Sequence, residues 1–290
     1  MSSPETAPLP QMVLTLSCPD RRGIVAAVAS FLTAHGCNIL DSAQFRDPDT
    51  NTFFMRVCFE IEGGLPKDHI RKGFASIGDT YAMGWRMHDL DIKPRVLIMV
   101  SRHGHCLNDL LFRYLIGALR MEVAAVVSNH RDFEQLTVSH NLPFHHMPVK
   151  AETRAEQEAA LMDLIERERV DLVVLARYMQ VLSDGVCRRL EGRIINIHHS
   201  FLPSFKGAQP YQRAHARGVK LIGATAHYVT PDLDEGPIIE QEVARVTHAM
   251  TVDDFIATGR DVEATVLARA VTWHLDHRVL LNGDRTVVFR

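Results

Sequence analysis

The spacing of apolar positions changes character in a set order along the first third of the chain. Residues 12–16 read as a strand and the polar stretch 18–23 as a turn. Ile24, Val28, Phe31 and Leu32 then fall at i, i+4, i+7 and i+8, which predicts an amphipathic helix that stops at Gly36. Residues 38–45 and 53–61 predict two antiparallel strands around the polar turn at 47–51. Beyond Gly63 and Gly64, a polar amphipathic stretch from 66 to about 81 predicts a second helix, and the alternation over 85–92 a last strand. The order is β-α-β-β-α-β, a ferredoxin-like arrangement.

At Lys93 and Pro94 the pattern shifts. Residues 95–100 form an unbroken apolar run, as expected of a strand covered on both faces. Helical stretches at 107–119, 131–140 and 153–168 then alternate with strands at 122–128, 144–147, 171–176 and 193–198. This predicts an open, mostly parallel α/β sheet with helices on both faces. Strands at 221–229 and 237–243 read as antiparallel or mixed. Thr251 with Asp254 opens a long helix carrying Val262, Val266, Ala270 and Trp273 on one stripe. The chain is thus read as a flexible tail (1–10), a small domain (11–92) and a larger one (93–290).

Composition narrows the function classes. The 290 residues are 46% hydrophobic and 23% charged, with a net charge of −3, so electrostatics alone does not hold this chain on nucleic acid. Five scattered cysteines without a CxxC pair point to a reducing compartment, with neither a disulfide framework nor a structural zinc site. Without a basic, then apolar, N-terminal leader or a run long enough to span a bilayer, a cytoplasmic protein is expected.

Two short segments carry candidate chemistry. Asn196 and His198 stand two apart on a strand, so both side chains leave one face while Ile195 and Ile197 leave the other. They lie at the carboxyl end of that strand, where open α/β sheets bind ligands. Downstream, Asp232 and Asp234 are also two apart, between two strands. Taken alone that pair reads as turn chemistry, in which Asp bonds to its own backbone.

Together with residues 175–183, 195–198, 202–205, 223–227 and 234–239, these segments resemble the folate-dependent formyltransferase family. The resemblance implies a Rossmann-like domain in which Asn196, His198 and Asp234 are catalytic. It also implies that Met179, Gln180, Val181, Leu182 and Asp232 line the folate pocket. Residues 18–25, the helix after them and residues 36–39 resemble the ACT domain, a ligand-sensing module. That implies an amino-acid effector, such as glycine or methionine, at Asp20, Gly23, Asn38 and Ile39, and a homo-oligomer. The two modules in this order are similar to family members that hydrolyse 10-formyltetrahydrofolate to formate and tetrahydrofolate, feeding one-carbon and purine metabolism. No metal and no permanently bound cofactor are expected, and no membrane or nucleic-acid partner; 10-formyltetrahydrofolate is the substrate.

The residue types suit that chemistry. Attack on an amide-like formyl carbon creates an oxyanion, which an Asn amide and a His N–H stabilise. Asp234 either takes a proton from the attacking water or orients His198 and holds it protonated. The loop at 101–109 has one glycine among Arg102, His103 and His105, a poor phosphate cradle, so water is the expected acceptor. Two alternatives stay open: transfer to a phosphorylated amine such as glycinamide ribonucleotide, with Arg102 on the phosphate, and a catalytically silent folate or amino-acid sensor. His199 and His227 are read as supporting or packing groups. His103, His105, His145 and His146 are read as loop and strand-end residues.

Overall fold

The computed structural model describes residues 9–202 and 210–290. Residues 1–8 of the expected tail, and residues 203–205 of one matching motif, lie outside the described residues. The chain divides into two compact units. One comprises the residues up to Lys93 together with His277–Leu280 and Val287–Arg290; the other comprises Pro94–Asp276 and Leu281–Thr286.

The first unit runs β1 (Gln11–Pro19), α1 (Ile24–Ala34), β2 (Cys37–Asp47), β3 (Thr52–Ile61), α2 (Lys67–Thr80) and β4 (Gly84–Asp89). Its antiparallel sheet has the order β2-β3-β1-β4. The period of two is visible in β3: Phe53, Met55, Val57, Phe59 and Ile61 enter the core that also takes Val28, Phe31, Ile70 and Phe74 from the helices. Phe54 points to the other face, where it is buried with Val287 and Phe289. That cluster is why the C-terminal residues group with the first unit and not, as the sequence reading assigned them, with the 93–290 domain.

The second unit contains β5 (Arg95–Val100), α3 (His105–Leu115), β6 (Glu122–Ser128), α4 (Glu134–Ser139), β7 (Phe144–His146) and α5 (Arg154–Arg167). It continues with β8 (Leu172–Leu175), α6 (Asp184–Arg189), β9 (Ile194–His198), α7 (Pro210–Arg217), β10 (Leu221–Tyr228), β11 (Ile238–Arg245) and α8 (Val252–Leu275). The seven strands lie in the order β11-β10-β9-β8-β5-β6-β7. The five from β7 to β9 are parallel, and β10 and β11 are antiparallel, as the sequence pattern suggests. Because β5 leads to β6 on one side and β8 lies on the other, the strand order reverses at β5/β8, and the crevice beyond these carboxyl ends is the natural ligand site.

α6, α7 and the hairpin β12 (Val279–Asn282) and β13 (Arg285–Val288) have no counterpart in the sequence reading. They are too short to develop a period. α8 is held at its start by a capping box in which Thr251 and Asp254 each bond the other's backbone N–H. Among the described residues no helix is long and apolar enough to cross a membrane.

Candidate active site

Strand register brings the first two catalytic candidates together. On β9, Ile195 and Ile197 are buried in the sheet layers while Asn196 and His198 leave the other face. Asn196 lies opposite Leu175 of β8 and His227 of β10, and His198 opposite Thr225. The chain after β9 is tied down from β10: Thr225 Oγ1 donates to the Ser200 carbonyl (2.9 Å) and accepts from Leu202 N–H (3.1 Å).

The partner of His227 fixes where that ring carries its proton. The Nδ1 of His227 is 2.9 Å from the Tyr228 carbonyl oxygen, which only accepts, so Nδ1 carries the hydrogen. Burial pushes the pKa of this ring down, which keeps it neutral with a lone pair on Nε2. The Asn196 amide nitrogen, 3.3 Å away, therefore donates to His227 Nε2, and this contact sets which way the amide faces. His198 is 6% exposed, with Nδ1 3.0 Å from Ser200 Oγ and Nε2 3.5 Å from Asp234 Oδ2. Burial lowers the pKa of His198; Asp234 and the Ser200 backbone oppose that, and the balance stays below the ordinary histidine value.

Asp234 reaches this position through a strained turn. Its φ is +59°, the left-handed region that a non-glycine residue enters at a cost of about 1–2 kcal/mol. Two residues on, a Cβ on Gly236 would lie 1.8 Å from the Tyr228 carbonyl oxygen, so only glycine lets the turn fold back onto β10. Asp234 Oδ1 is also 3.8 Å from His227 Nε2.

The three side chains open into a cavity of about 640 Å³. Met179, Gln180, Val181 and Leu182 line one wall, where Met179 and Val181 are 54% and 56% exposed, an apolar surface without a covering partner in the described chain. That loop is anchored: Met179 N–H donates to Ser101 Oγ (3.0 Å), Arg154 donates to the Val181 carbonyl (2.7 Å) and Ser183 N–H to Glu158 (2.9 Å). Asp232, expected in the folate pocket, does not line the cavity. It is exposed, and its carbonyl accepts from Thr230 Oγ1 (3.1 Å), so it serves the turn.

The cavity lining also holds a buried ionic group that sequence reasoning missed. Glu263 of α8, 1% exposed, accepts from Tyr211 Oη (2.5 Å) and His105 Nε2 (2.7 Å) and lies 3.3 Å from Arg177 Nε. Burial acts to raise the pKa of Glu263, but the His105 hydrogen bond and the Arg177 charge outweigh it and hold the carboxyl ionised. Arg177 Nη1 in turn donates to His199 Nδ1 (2.9 Å). His105, read as a loop residue, thus has a defined partner. Cys106 beside it is a fully buried thiol that burial and Glu263 push well above the ordinary cysteine value, so it stays protonated. Donor atoms of His105, Cys106 and Glu263 lie within 4.8 Å of one another, but Arg177 already supplies the positive charge at that carboxylate.

The expected effector residues belong to the first unit. Asp20 pairs with Arg46 (2.8 Å), and Gly23, at φ +94°, caps α1. Asn38 donates to Glu60 (3.0 Å), and Ile39 packs on the core. Within one chain the two pairs are not brought together. Pro19, next to Asp20, is opposite Thr52, whereas Asn38 is opposite Glu60, and eight strand residues span roughly 26 Å.

Comparison with known proteins agrees with this architecture. The formyl transferase family model matches residues 94–271, and the ACT domain model residues 12–68. A formyltetrahydrofolate deformylase of Corynebacterium sp. (strain P-1) is 49% identical over 279 residues, 96% of this chain and 98% of the relative. The crystal structure of a formyltetrahydrofolate deformylase from Burkholderia mallei superposes with a TM-score of 0.93 at 54% identity, over 98% of this chain and 100% of that one. A glycinamide ribonucleotide transformylase from Symbiobacterium toebii matches less of the molecule, with a TM-score of 0.64 at 28% identity over 68% of this chain and 95% of that one.

Proposed function

Because this chain belongs to the formyltetrahydrofolate deformylase family, we propose that it hydrolyses 10-formyltetrahydrofolate to formate and tetrahydrofolate, with Asn196, His198 and Asp234 as the catalytic set. The observation that carries the reading is their convergence on the lining of one cavity, with His198 Nε2 3.5 Å from Asp234.

In this reading His198 is neutral near pH 7, with Nδ1 turned to Ser200 and Nε2 to the cavity side, where Asp234 stands. Nε2 takes a proton from water as the water oxygen attacks the formyl carbon. The Asn196 N–H donates to the oxyanion that forms, and Asp234 stabilises the new imidazolium. As the C–N bond breaks, the imidazolium returns its proton to N10, so that tetrahydrofolate leaves with formic acid, which gives its remaining O–H proton to solvent and becomes formate. Of the two roles open to Asp234, orienting His198 is the one this geometry favours. The base must be unprotonated, so activity is full at neutral pH and falls as pH drops through the depressed His198 pKa.

Met179, Gln180, Val181 and Leu182 are proposed as the folate wall. Water as acceptor is supported by Gly104, the one glycine of the 101–109 loop: its packing against Phe133, where a Cβ would lie 2.2 Å from the ring, uses the small residue for contact, not for a phosphate. The ACT unit is proposed to sense an amino acid, glycine or methionine being the first to test. Since Asp20 with Gly23 and Asn38 with Ile39 lie far apart in one chain, a ligand touching both pairs needs a second copy, which supports a homo-oligomer. A cytoplasmic supply of formate to one-carbon and purine metabolism completes the proposal.

The experiment is formate release from 10-formyltetrahydrofolate without any acceptor. The unaltered protein is expected to release it, and Asp234→Asn to lose turnover while still binding folate. Formate or formyl transfer seen only on adding glycinamide ribonucleotide would move the reading to a transferase, and folate binding without turnover to a sensor.

A further inference from the structure

The proposed hydrolysis gives no role to three polar side chains at the cavity: the buried Glu263 on α8 and the half-buried Arg177 after β8 and His199 after β9. Among the described residues, His199 Nε2 is a buried nitrogen without a hydrogen-bond partner, and Arg177 Nε makes no hydrogen bond beyond its 3.3 Å ion pair with Glu263. A buried unpartnered donor costs about 1–3 kcal/mol, and its persistence beside a catalytic site calls for a reason.

We propose that Glu263, Arg177 and His199 form a positioning chain that holds the His198 ring beside Asp234 and keeps its Nε2 free to accept a proton. The inference rests on the hydrolase reading above. Tyr211 and His105 fix the Glu263 carboxylate from α7 and α3. Glu263 holds the Arg177 guanidinium at 3.3 Å, and the residue is anchored by a left-handed backbone (φ +64°) and by Ser101 N–H donating to its carbonyl (3.2 Å).

An arginine only donates, so its contact with His199 Nδ1 requires the lone pair there and the hydrogen on Nε2. His199 is therefore a neutral ring, and burial with Arg177 pushes its pKa down to about 4. It stacks on His198 with centroids 4.6 Å apart and planes at 26°. A neutral ring makes that stack without charge repulsion. The fixed cation behind it disfavours protonation of both histidines.

The other groups around His198 are accounted for. Asp234 and His227 face it from the turn after β10 and from β10 itself, and Asp234 favours its charged form. Ser200 follows it in the chain and favours the same form, as does Glu263. His103 lies near Arg177 and Arg260, and all three line the cavity. Arg177 and Glu263 thus act on His198 with opposite sign, and that opposition supplies the test.

The measurement is the pH profile of kcat/KM for 10-formyltetrahydrofolate in the full chain. Arg177→Met is expected to move the acid limb to higher pH by about one unit, within the range a neighbouring charge produces. Glu263→Gln should move it to lower pH, and Arg177→Lys should keep it near its original place. A lower plateau in all three without opposite displacement of the limb is what a merely structural role gives, and it would overturn the proposal. A second measurement needs no variant: ¹⁵N-imidazole NMR of the unaltered protein should show His199 protonated on Nε2 and bare on Nδ1 from pH 8 down to 5. A protonated Nδ1 in that range would also overturn it. Failure of the unaltered protein to release formate would sink the hydrolase reading instead.

Discussion

In the proposed reaction Asn196 can serve the oxyanion only while its amide nitrogen is held in place, and the lone pair on His227 Nε2 is what holds it. Removing the donor itself, in Asn196→Ala, is expected to lower kcat by about 10² to 10³, the usual loss for one such donor. His227→Phe keeps the donor but lets the amide turn, so a smaller loss is expected, with KM little changed. Because both changes act through one hydrogen bond, the double variant should resemble Asn196→Ala alone. A double variant whose losses multiply would mean that His227 acts independently of Asn196. That Asn196, His198 and Asp234 line one cavity was legible as an expectation, because the first two share a strand face and the third completes a family motif. The part played by His227 was not, since it depends on His227 lying opposite Asn196, and the pairing of β10 with β9 is a long-range fact that periodicity does not contain.

At the scale of elements, α8 decides how the polar wall of the cavity is built. Gly259 and Glu263 are four apart on one face of this helix, and a Cβ at Gly259 would lie 2.2 Å from the Tyr211 ring. The missing side chain lets Tyr211 lie against the helix and reach Glu263 one turn further on. Gly259→Ala therefore sets two effects against each other: a gain of about 0.5–1 kcal/mol in helix propensity and an overlap of the kind that costs about 1–3 kcal/mol in packed interiors. Overlap is expected to win, so urea unfolding should show a lower midpoint and formate release a lower kcat. A more stable variant with unchanged turnover would contradict this packing. The sequence reading found α8 but allowed it one apolar stripe. In the structure the helix buries Phe255, Leu267, Ala268 and Val271 as well as Val262, Val266 and Ala270, while Trp273 is only partly buried. The helix also carries exposed Asp253, Asp254, Arg260, Asp261 and Arg269, so Glu263 reads in the sequence as one more charge among them, and only the packing of Tyr211, His105 and Arg177 onto it marks it as buried.

The whole molecule departs from its sequence reading at the C-terminus, because periodicity divides a chain only into contiguous stretches. Val287 and Phe289 are 9% and 8% exposed, and they bury Phe54 on the sheet face of the first unit that its own helices do not cover. The same end of the chain stacks His277 on His88, with centroids 3.6 Å apart. If this cover is part of the first unit's stability, Phe289→Ala should destabilise that unit by about 3 kcal/mol or more, as core Phe→Ala changes do. The two tryptophans make this measurable, since Trp85 lies in the first unit and Trp273 in the second. In a Trp273→Phe background, fluorescence reports Trp85 alone, and a urea m-value of about 1–3 kcal/mol/M turns such a loss into a midpoint lower by roughly 1 M or more. The same change in a Trp85→Phe background follows the second unit for comparison. A Trp85 midpoint that does not move would mean that the C-terminal residues lie on the sheet without stabilising it, and the first unit would then end at Lys93.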